Sequence, residues 1–235
     1  MSTVAIMQPY MFPFAGYYQL VEAVDTFVFY DDVDFITRGW INRNNLLVQG
    51  EKHLFTVPVK KASQNRRINE TDVDTNGKWL KKFFKTLRHV YGQHPFYKMT
   101  QNLVEQVFDE LPCSIAHLAS ESVVCVTEEI EIETSFLWSS DLNISTDLGK
   151  AERLIAICKE LDAISYVNAI GGKGLYDKSY FKNQGVDLLF LKPNLRRYQQ
   201  HQTDQFVPGL SILDVLMNVK SNQVRDEVIK GYEFV

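Results

Sequence analysis

The fold is decided near the start of the chain, by the stretch Val4-Ala5-Ile6-Met7-Gln8-Pro9-Tyr10-Met11-Phe12-Pro13-Phe14-Ala15-Gly16. Its first four residues are apolar and predict a buried strand, and the two prolines and the glycine after them predict a loop. Residues 17–24 then have helical spacing, and residues 26–30 have the composition of a second strand. Strand, loop, helix and strand is the order in which an α/β sheet presents a ligand site at the carboxyl ends of its strands.

Further strands and helices follow along the chain. A plain strand is expected at residues 54–59, where Pro58 either places it at a sheet edge or marks the point at which its pairing ends. Apolar spacing predicts three successive helices, and the last third alternates strands and helices, which is typical of a parallel sheet. We therefore predict an α/β fold with a mostly parallel sheet built from both ends of the chain and an all-helical inserted segment. Residues 1–76 and 131–235 would form the core with the ligand site, and residues 77–130 the insertion packed on it.

Composition argues against several classes of protein. The 235 residues carry a net charge of −4 and contain no long basic run, which disfavours a nucleic-acid-binding protein. Cys113, Cys125 and Cys158 are scattered without a CxxC pair, so neither a zinc site nor a disulfide framework is predicted. No stretch approaches the roughly 20 apolar residues that span a bilayer. We expect a reduced, cytoplasmic protein without membrane insertion, either monomeric or oligomeric.

A polar cluster begins where the second predicted strand ends. Asp31, Asp32 and Asp34 follow that strand directly, and alternation sends Asp32 and Asp34 to one face and Asp31 to the other. Carboxylates at this place could hold Mg²⁺ together with substrate oxygens, or serve as a general base. Aspartates after a strand also form turns and helix caps, so a structural role is the alternative. Asp31 and Asp32 are the predicted catalytic residues, and the ligands of any metal are left open.

The loop before the first helix is a candidate binding element. Gly16 lets a ligand approach the helix N-terminus, whose free N–H groups and dipole favour phosphate or carboxylate. Phe14 and Tyr17 stand where the histidines of the HxGH segment of nucleotidylyltransferases would be, which argues against ordinary metal-assisted nucleotidyl transfer. A tight strand-to-helix turn with aromatic packing is the alternative. We predict that Gln8, Tyr10, Gly16 and Tyr17 contact substrate.

A second candidate binding element is the segment Arg38-Gly39-Trp40-Ile41-Asn42-Arg43-Asn44. It combines two guanidinium groups, which suit phosphate or carboxylate, with an indole face that suits a base or a sugar ring. A surface turn with a buried Trp40 is the alternative. The predicted substrate contacts in this segment are Arg38, Trp40, Asn42, Arg43 and Asn44.

Two later segments complete the predicted crevice. In Gly171-Gly172-Lys173-Gly174 the backbone amides could cradle an anion with Lys173 as a point charge, although the P-loop spacing is absent and a flexible turn explains the segment as well. Gln200 and Ser211 belong to a dense late patch, in which Ser211 is also a candidate helix cap with Asp214 as its N3 partner. Gly172, Lys173, Gln200 and Ser211 are predicted to line the same crevice as the early residues.

Taken together, these segments resemble the WbqC-like protein family. The resemblance covers nearly the whole chain, with its motifs in order. It is carried by Ala5-Ile6-Met7-Gln8-Pro9-Tyr10, Phe12-Pro13, Gly16-Tyr17, residues 25–33, Gly39-Trp40-Ile41-Asn42-Arg43-Asn44, Gly171-Gly172-Lys173, Leu175-Tyr176, Phe206-Val207-Pro208, Leu210-Ser211-Ile212 and Asp214.

The resemblance implies a context in bacterial biosynthesis of O-antigen, lipopolysaccharide and other surface polysaccharides, beside enzymes that make amino sugars on nucleotide carriers. We therefore expect a cytoplasmic transferase that adds an acyl or aminoacyl group to a nucleotide-linked amino sugar. ATP or acyl-CoA would be the co-substrate, with Mg²⁺ as a candidate cofactor. A non-catalytic nucleotide-sugar binding or assembly protein and a metal-dependent hydrolase are the alternatives.

Overall fold

The structure is a computed structural model, which describes residues 2–201, 203 and 205–235. These residues form a six-stranded sheet, a two-stranded sheet and eight helices. The strands are β1 (Thr3–Met7), β2 (Thr26–Phe29), β3 (Arg43–Val48), β4 (Glu51–Thr56), β5 (Ser135–Trp138), β6 (Ser165–Ala169), β7 (Asp187–Lys192) and β8 (Glu233–Phe234). The helices are α1 (Ala15–Glu22), α2 (Trp79–Tyr91), α3 (Tyr97–Asp109), α4 (Ile115–Glu129), α5 (Lys150–Glu160), α6 (Lys178–Asn183), α7 (Ile212–Asn218) and α8 (Ser221–Val224).

The six-stranded sheet confirms the predicted fold class. Its strand order is β5-β2-β1-β6-β7-β8, and every neighbouring pair is parallel except β7 with β8. The first strand lies in the middle, between β2 and the much later β6, so the sheet is built from both ends of the chain. The strand order therefore reverses between β1 and β6, and open α/β sheets bind ligands at such a point.

Alternate residues of the strands build apolar layers on the two faces of the sheet. Ala5 and Phe27 belong to one buried cluster, and their chain neighbours Val4 and Val28 belong to another. Burial on both faces explains why these strands are almost continuously apolar. Helix α5 contributes to the second layer through residues such as Leu154, whereas α1, α2, α3, α4 and α7 contribute to the first.

The predicted inserted helical segment is present as α2, α3 and α4. The hydroxyl of Ser114 caps α4 by accepting the backbone N–H of His117 at 3.2 Å, as its sequence position predicts. The buried faces of these helices share one apolar cluster with the β1 side of the core. The division at residues 77 and 130 stays a prediction.

The strand predicted at residues 54–59 is present but displaced, because β4 runs from Glu51 to Thr56 and ends before Pro58, and its partner strand was not predicted. The structure has a separate hairpin, in which β3 pairs with β4 in antiparallel register and β4 ends at Thr56. The turn between them, Gln49-Gly50, has positive φ at both residues, 52° and 81°. Two left-handed residues in succession give the strand reversal of a two-residue hairpin, for which the glycine is well suited. The hairpin thus begins at Arg43, inside the segment that was predicted to bind substrate.

Candidate functional site

A cavity of about 820 Å³ opens at the carboxyl ends of β1, β2 and β6, beside the point where the strand order reverses. Its wall is completed by the loop after β2, the approach to α5 and the turn after β6. Its polar lining side chains are Gln8, Asp32, Asp34, Arg67, Thr146, Asp147, Lys150, Arg153 and Asn168, and the rings of Tyr10, Tyr30, Tyr166 and Tyr176 lie among them.

Four of the predicted site residues line this cavity together: Gln8, Tyr10, Asp32 and Gly172. They come from the ends of three strands that are far apart in the chain but adjacent in the sheet. Their roles in binding or catalysis stay predictions.

A buried ion pair forms part of the cavity wall. Asp32 is 8% exposed and Arg153, in the first turn of α5, is 2% exposed, and the guanidinium donates a hydrogen bond to the carboxylate. The hydroxyl of Ser139 donates a second hydrogen bond to Asp32. The guanidinium carbon also lies 4.8 Å from the centre of the Tyr30 ring. Asp32 is therefore held by a cation and a hydroxyl, and it is not a free carboxylate.

The buried arginine has an incomplete set of hydrogen bonds. Burial acts to lower the pKa of Arg153, but its hydrogen bond to Asp32 and its contact with Tyr30 raise that pKa above the usual range. Its buried Nε has no hydrogen-bond partner among the residues that the structure describes.

Charges of both signs meet at the mouth of the cavity. Arg67 is exposed and donates to the hydroxyl of Thr146 at 3.1 Å, and its backbone bridges to Asp34, whose carboxylate is also exposed. Lys150 begins α5 and is exposed. With Asp32, Asp147 and Arg153, the cavity lining has three cations and three carboxylates. It is suited to a ligand that carries both an anionic group and an amine.

The turn after β6 brings backbone close to the cavity. Gly172 is buried, and a Cβ at its position would collide with the side-chain amide of Asn168. Only glycine fits there without moving that amide, which is why the turn needs this residue. Lys173 is exposed and lies outside the cavity lining.

Asp31, the other predicted catalytic residue, lies outside the cavity lining. It is buried, and one carboxylate oxygen accepts the Ser140 backbone N–H at 3.0 Å and lies 3.1 Å from the Ser139 hydroxyl, whose single proton it shares with Asp32. The other oxygen accepts the Ser140 hydroxyl at 2.7 Å and the Asn69 amide at 3.3 Å. This carboxylate ties the turn after β5 to the end of β2. The predicted catalytic role is untested, and among the three aspartates Asp34 is the exposed one at the cavity.

Aromatic side chains of the same segment, Phe14 and Tyr17, pack around the N-terminus of α1. A Cβ on Gly16 would collide with the Phe14 ring, and it would lie 3.1 Å from a carbon of Pro193. Tyr17 is buried, and its hydroxyl donates to the backbone carbonyl of Gln8 at 2.9 Å. This geometry matches the strand-to-helix turn with aromatic packing that was the alternative interpretation.

The segment after the aspartates lies beside the cavity lining and not in it. The amide of Asn42 donates to the Val57 carbonyl at 2.7 Å, and that of Asn44 donates to the Phe12 carbonyl at 2.8 Å, so both hold loops together. The Arg43 side chain donates to its own turn, at the Gly39 carbonyl. Arg38 is exposed, and Trp40 is 46% exposed instead of buried as the alternative expected.

The late patch forms a second buried polar cluster, away from the cavity lining. Ser211 caps α7 by accepting the Leu213 N–H at 3.3 Å and donates to the Phe12 carbonyl. The predicted role of Asp214 as the N3 partner of that cap was wrong, because the Ser211 N–H donates to the Asn45 carbonyl at 2.9 Å and not to the fully buried Asp214 carboxylate. Its carboxylate accepts hydrogen bonds from Tyr91 at 2.9 Å, Tyr198 at 2.6 Å and Gln200 at 3.2 Å.

Sequence reasoning missed several residues of the cavity. Arg67 follows another arginine in a short basic stretch, which looks in sequence like a solvated surface, and Arg153 lies inside an amphipathic helix. The signal for Arg153 was its spacing, because it lies four residues before the buried Ile157 and so faces the core. Asn168 lies near the carboxyl end of β6, just as the aspartates follow the carboxyl end of β2, so the reasoning applied to those aspartates would also have found Asn168.

Across residues 2–201, 203 and 205–235, no group of three or more His, Cys, Asp or Glu side chains is placed to hold a metal ion. No helix in the same residues combines the length and apolar character needed to cross a membrane. A Mg²⁺ bound by Asp34 would therefore take its other ligands from substrate oxygens and water.

Comparison with known proteins gives two matches. The profile of the WbqC-like protein family matches residues 8–226. The chain is also 27% identical over 221 residues to the uncharacterized protein Rv1507c of Mycobacterium tuberculosis, with 93% of this chain and 94% of that protein covered. No solved structure matches significantly.

Proposed function

Because this chain belongs to the WbqC-like protein family, we propose that it is a transferase that adds an acyl or aminoacyl group to the amine of an amino sugar carried on a nucleotide. The reaction would take place in the cytoplasm, in the biosynthesis of O-antigen, lipopolysaccharide or a similar surface polysaccharide. The observation that carries the proposal is the cavity at the strand reversal, whose lining holds three cations and three carboxylates beside several tyrosine rings.

The cations of the cavity fit the nucleotide diphosphate. Arg67 and Lys150 are exposed at the mouth, and a guanidinium fork binds two phosphate oxygens at once. The N-terminal turn of α5 lies at the same wall, where the helix dipole favours negative charge. The rings of Tyr10 and Tyr176 are partly buried in the lining and offer faces on which a base or a sugar can stack.

The carboxylates fit the amine. In the proposed step the amine nitrogen attacks an activated carbonyl carbon, so that a C–N bond forms and the bond to the leaving group breaks. The amine loses a proton in this step, and the exposed Asp34 carboxylate is the group that we assign to accept it. Both oxygens of Asp32 already accept hydrogen bonds, one of them from the Arg153 guanidinium. The role of Asp32 would therefore be to hold Arg153 in position at the cavity wall.

The acyl donor must be activated, because direct condensation of a carboxylate with an amine is unfavourable in water. ATP, through an acyl phosphate or acyl adenylate, and acyl-CoA both satisfy this requirement. Three exposed apolar side chains lie at the cavity rim, Ile36, Leu148 and Leu175, the last of which is 75% exposed. Apolar side chains around a cavity mouth suit the aliphatic part of an acyl donor.

The test begins with binding and continues with turnover. Purified protein is incubated with UDP- or dTDP-linked amino sugars, ATP, Mg²⁺ and candidate acyl or aminoacyl donors, and a mass shift of the sugar is sought. Arg67→Ala should weaken nucleotide-sugar binding about 10- to 100-fold, the loss expected for a charge-assisted hydrogen bond. Arg197→Ala is the matched control, an exposed arginine outside the cavity lining, and should bind normally. Equal effects of the two substitutions would contradict the assignment of the cavity.

A non-catalytic nucleotide-sugar binding protein is the second candidate. It is favoured by the commitment of Asp32 to Arg153, which leaves the cavity wall without a free buried base. Thermal stabilisation by the nucleotide sugar, about 2.7 kcal/mol at 100 times the dissociation constant, without any turnover, would support it. A metal-dependent hydrolase would instead release product in a chelator-sensitive reaction.

A further inference from the structure

The charges of the helical segment are sorted along the chain. Residues 75–104 contain six Lys and Arg and no Asp or Glu, whereas residues 105–133 contain eight Asp and Glu and no Lys or Arg. The whole chain is nearly balanced, with 25 basic and 29 acidic residues. The cations are Lys78, Lys81, Lys82, Lys85, Arg88 and Lys98, and the carboxylates are Glu105, Asp109, Glu110, Glu121, Glu128, Glu129, Glu131 and Glu133.

In the folded protein, basic and acidic residues of this segment line two neighbouring grooves, one on each side of α3. The basic groove lies between α2 and α3, has a volume of about 700 Å³, and is lined by Lys85, Arg88 and Lys98 with the rings of Phe84 and Tyr97. The acidic groove lies between α3 and α4, has a volume of about 450 Å³, and is lined by Glu128 and Glu129 with Met99, Leu103 and Cys125. Helix α3 is the ridge between them, because it contributes residues to both.

The charges of the two grooves are not neutralised within the molecule. Among the described residues, no carboxylate lies within 4.0 Å of Lys85, Arg88 or Lys98, and no Lys or Arg lies that close to Glu128 or Glu129. Four of these five side chains are exposed, and Glu129 is half-buried. They are available to a charged partner.

Local helix physics does not account for the acidic groove. Glu128 and Glu129 occupy the last turn of α4, where the negative end of the helix dipole disfavours carboxylates, and that turn contains no basic residue. Burial raises the pKa of the nearby Glu121, and the charges of Glu110 and Glu128 raise it further against the opposing effect of His117. The carboxylates of this face repel one another, and a cationic partner would relieve that repulsion.

We propose that the two grooves form the interface of a homodimer, in which the basic groove of each copy receives the acidic groove of the other. In a two-fold dimer residue i contacts j and residue j contacts i, so a chain that carries both grooves makes the contact twice. Opposite potentials speed the encounter of the two copies and set their register. The apolar side chains of both grooves provide the surface that becomes buried.

A second copy of this chain fits the observations better than a polyanion. Nucleic acid or an anionic membrane would use the basic groove alone and would be repelled by the adjacent acidic groove. The segment carries both halves of a complementary pair, and a second copy uses both.

The test is a charge exchange between copies. One double variant, Lys85→Glu with Arg88→Glu, makes both grooves acidic, and the other, Glu128→Lys with Glu129→Lys, makes both basic. Sedimentation should show a dimer for the wild type at about 50 mM salt and a dimer at least about tenfold weaker at about 500 mM, where charges are strongly screened. Each double variant alone should be monomeric. An equimolar mixture of the two should recover a 1:1 heterodimer, because every groove then meets the opposite charge.

The controls separate this result from misfolding and from other partners. Lys60→Glu with Lys61→Glu changes the charge equally on an exposed loop and should leave the dimer intact. Thermal unfolding of each variant verifies its fold, and the single substitutions Lys85→Glu and Glu128→Lys replace any double variant that fails to fold. A wild type that is monomeric at low salt, or a mixture that stays monomeric, overturns the proposal. Binding of single-stranded DNA or phosphatidylglycerol vesicles that depends on the basic groove, by a monomeric wild type, overturns it in favour of a polyanion.

Discussion

The molecule has two buried polar regions, the cavity wall and the late polar cluster. Each is organised by one buried aspartate, and the two aspartates have different partners. Asp32, at the cavity wall, accepts hydrogen bonds from the Arg153 guanidinium and a serine. Asp214, in helix α7, is fully buried and accepts hydrogen bonds from two tyrosines and a glutamine, all neutral. Burial raises the pKa of Asp214, although those hydrogen bonds oppose the rise. Asp32 is therefore paired with a cation beside a ligand-sized cavity, whereas Asp214 is held in the core by neutral hydrogen-bond donors.

The largest difference in stability between the two regions should appear when the Arg153 guanidinium is removed. Arg153→Ala leaves the Asp32 carboxylate buried without a cation, and we expect the free energy of unfolding to fall by about 3–5 kcal/mol. Urea denaturation measures the change. Adding Asp32→Asn to this variant should recover part of the loss, because the uncompensated charge is then gone.

A surface pair provides the control for that measurement. Lys192 lies 3.6 Å from Glu233 with both side chains largely exposed, so Lys192→Ala should cost less than about 1 kcal/mol. If Arg153→Ala costs no more than Lys192→Ala, the ion pair is not the element that holds the cavity wall.

The tyrosines of the neutral cluster should have smaller and unequal effects. The Tyr91 hydroxyl donates to Asp214 and also accepts the buried N–H of Leu47 at 2.9 Å, so Tyr91→Phe leaves two polar groups unsatisfied. We expect Tyr91→Phe to cost about 2–3 kcal/mol and Tyr198→Phe about 1–2 kcal/mol in urea denaturation. The reverse order would show that the hydrogen bond to Leu47 contributes nothing.

The smallest expected effect is a change in the free energy of unfolding with pH that is caused by the titration of Asp214. Because its pKa is raised above the ordinary value of 3.8, the folded protein keeps this proton to higher pH than the unfolded chain does. The free energy of unfolding contributed by this group therefore falls as pH rises from about 4 through the folded-state pKa. Asp214→Asn removes the titration, so the wild type minus variant difference in the free energy of unfolding should decrease as pH rises. A difference that stays constant or grows over that range contradicts the raised pKa.

The sheet was predictable because its signals are local. Each core strand is a short apolar run bounded by turn residues, and the alternation with helices indicates parallel pairing before any contact is known. The β3–β4 hairpin escaped because its first strand, Arg43–Val48, begins with polar residues that look like ligand contacts. Its decisive signal, the Gln49-Gly50 turn, was available in the sequence.

The site was only partly predictable because its residues are brought together by topology. The ends of β1 and β2 gave Gln8, Tyr10 and Asp32, since polar residues after adjacent parallel strands meet at one edge. No spacing rule links them to Arg153, whose contact with Asp32 depends on how α5 packs. Asn42 and Asn44 show the opposite case, since they were predicted to contact substrate and their amides donate to backbone carbonyls. In sequence, an asparagine that binds backbone looks the same as one that binds a sugar.

The central position of β1 has a consequence for synthesis on the ribosome. This strand ends at residue 7, whereas its neighbour β6 begins only at residue 165. At about 5–20 residues per second, the edge of β1 that faces β6 waits on the order of 10–30 seconds for its partner. An unpaired strand edge recruits other chains. The helices α2, α3 and α4 emerge during that interval, so the nascent chain can bury one face of β1 before its hydrogen-bonding edge is closed.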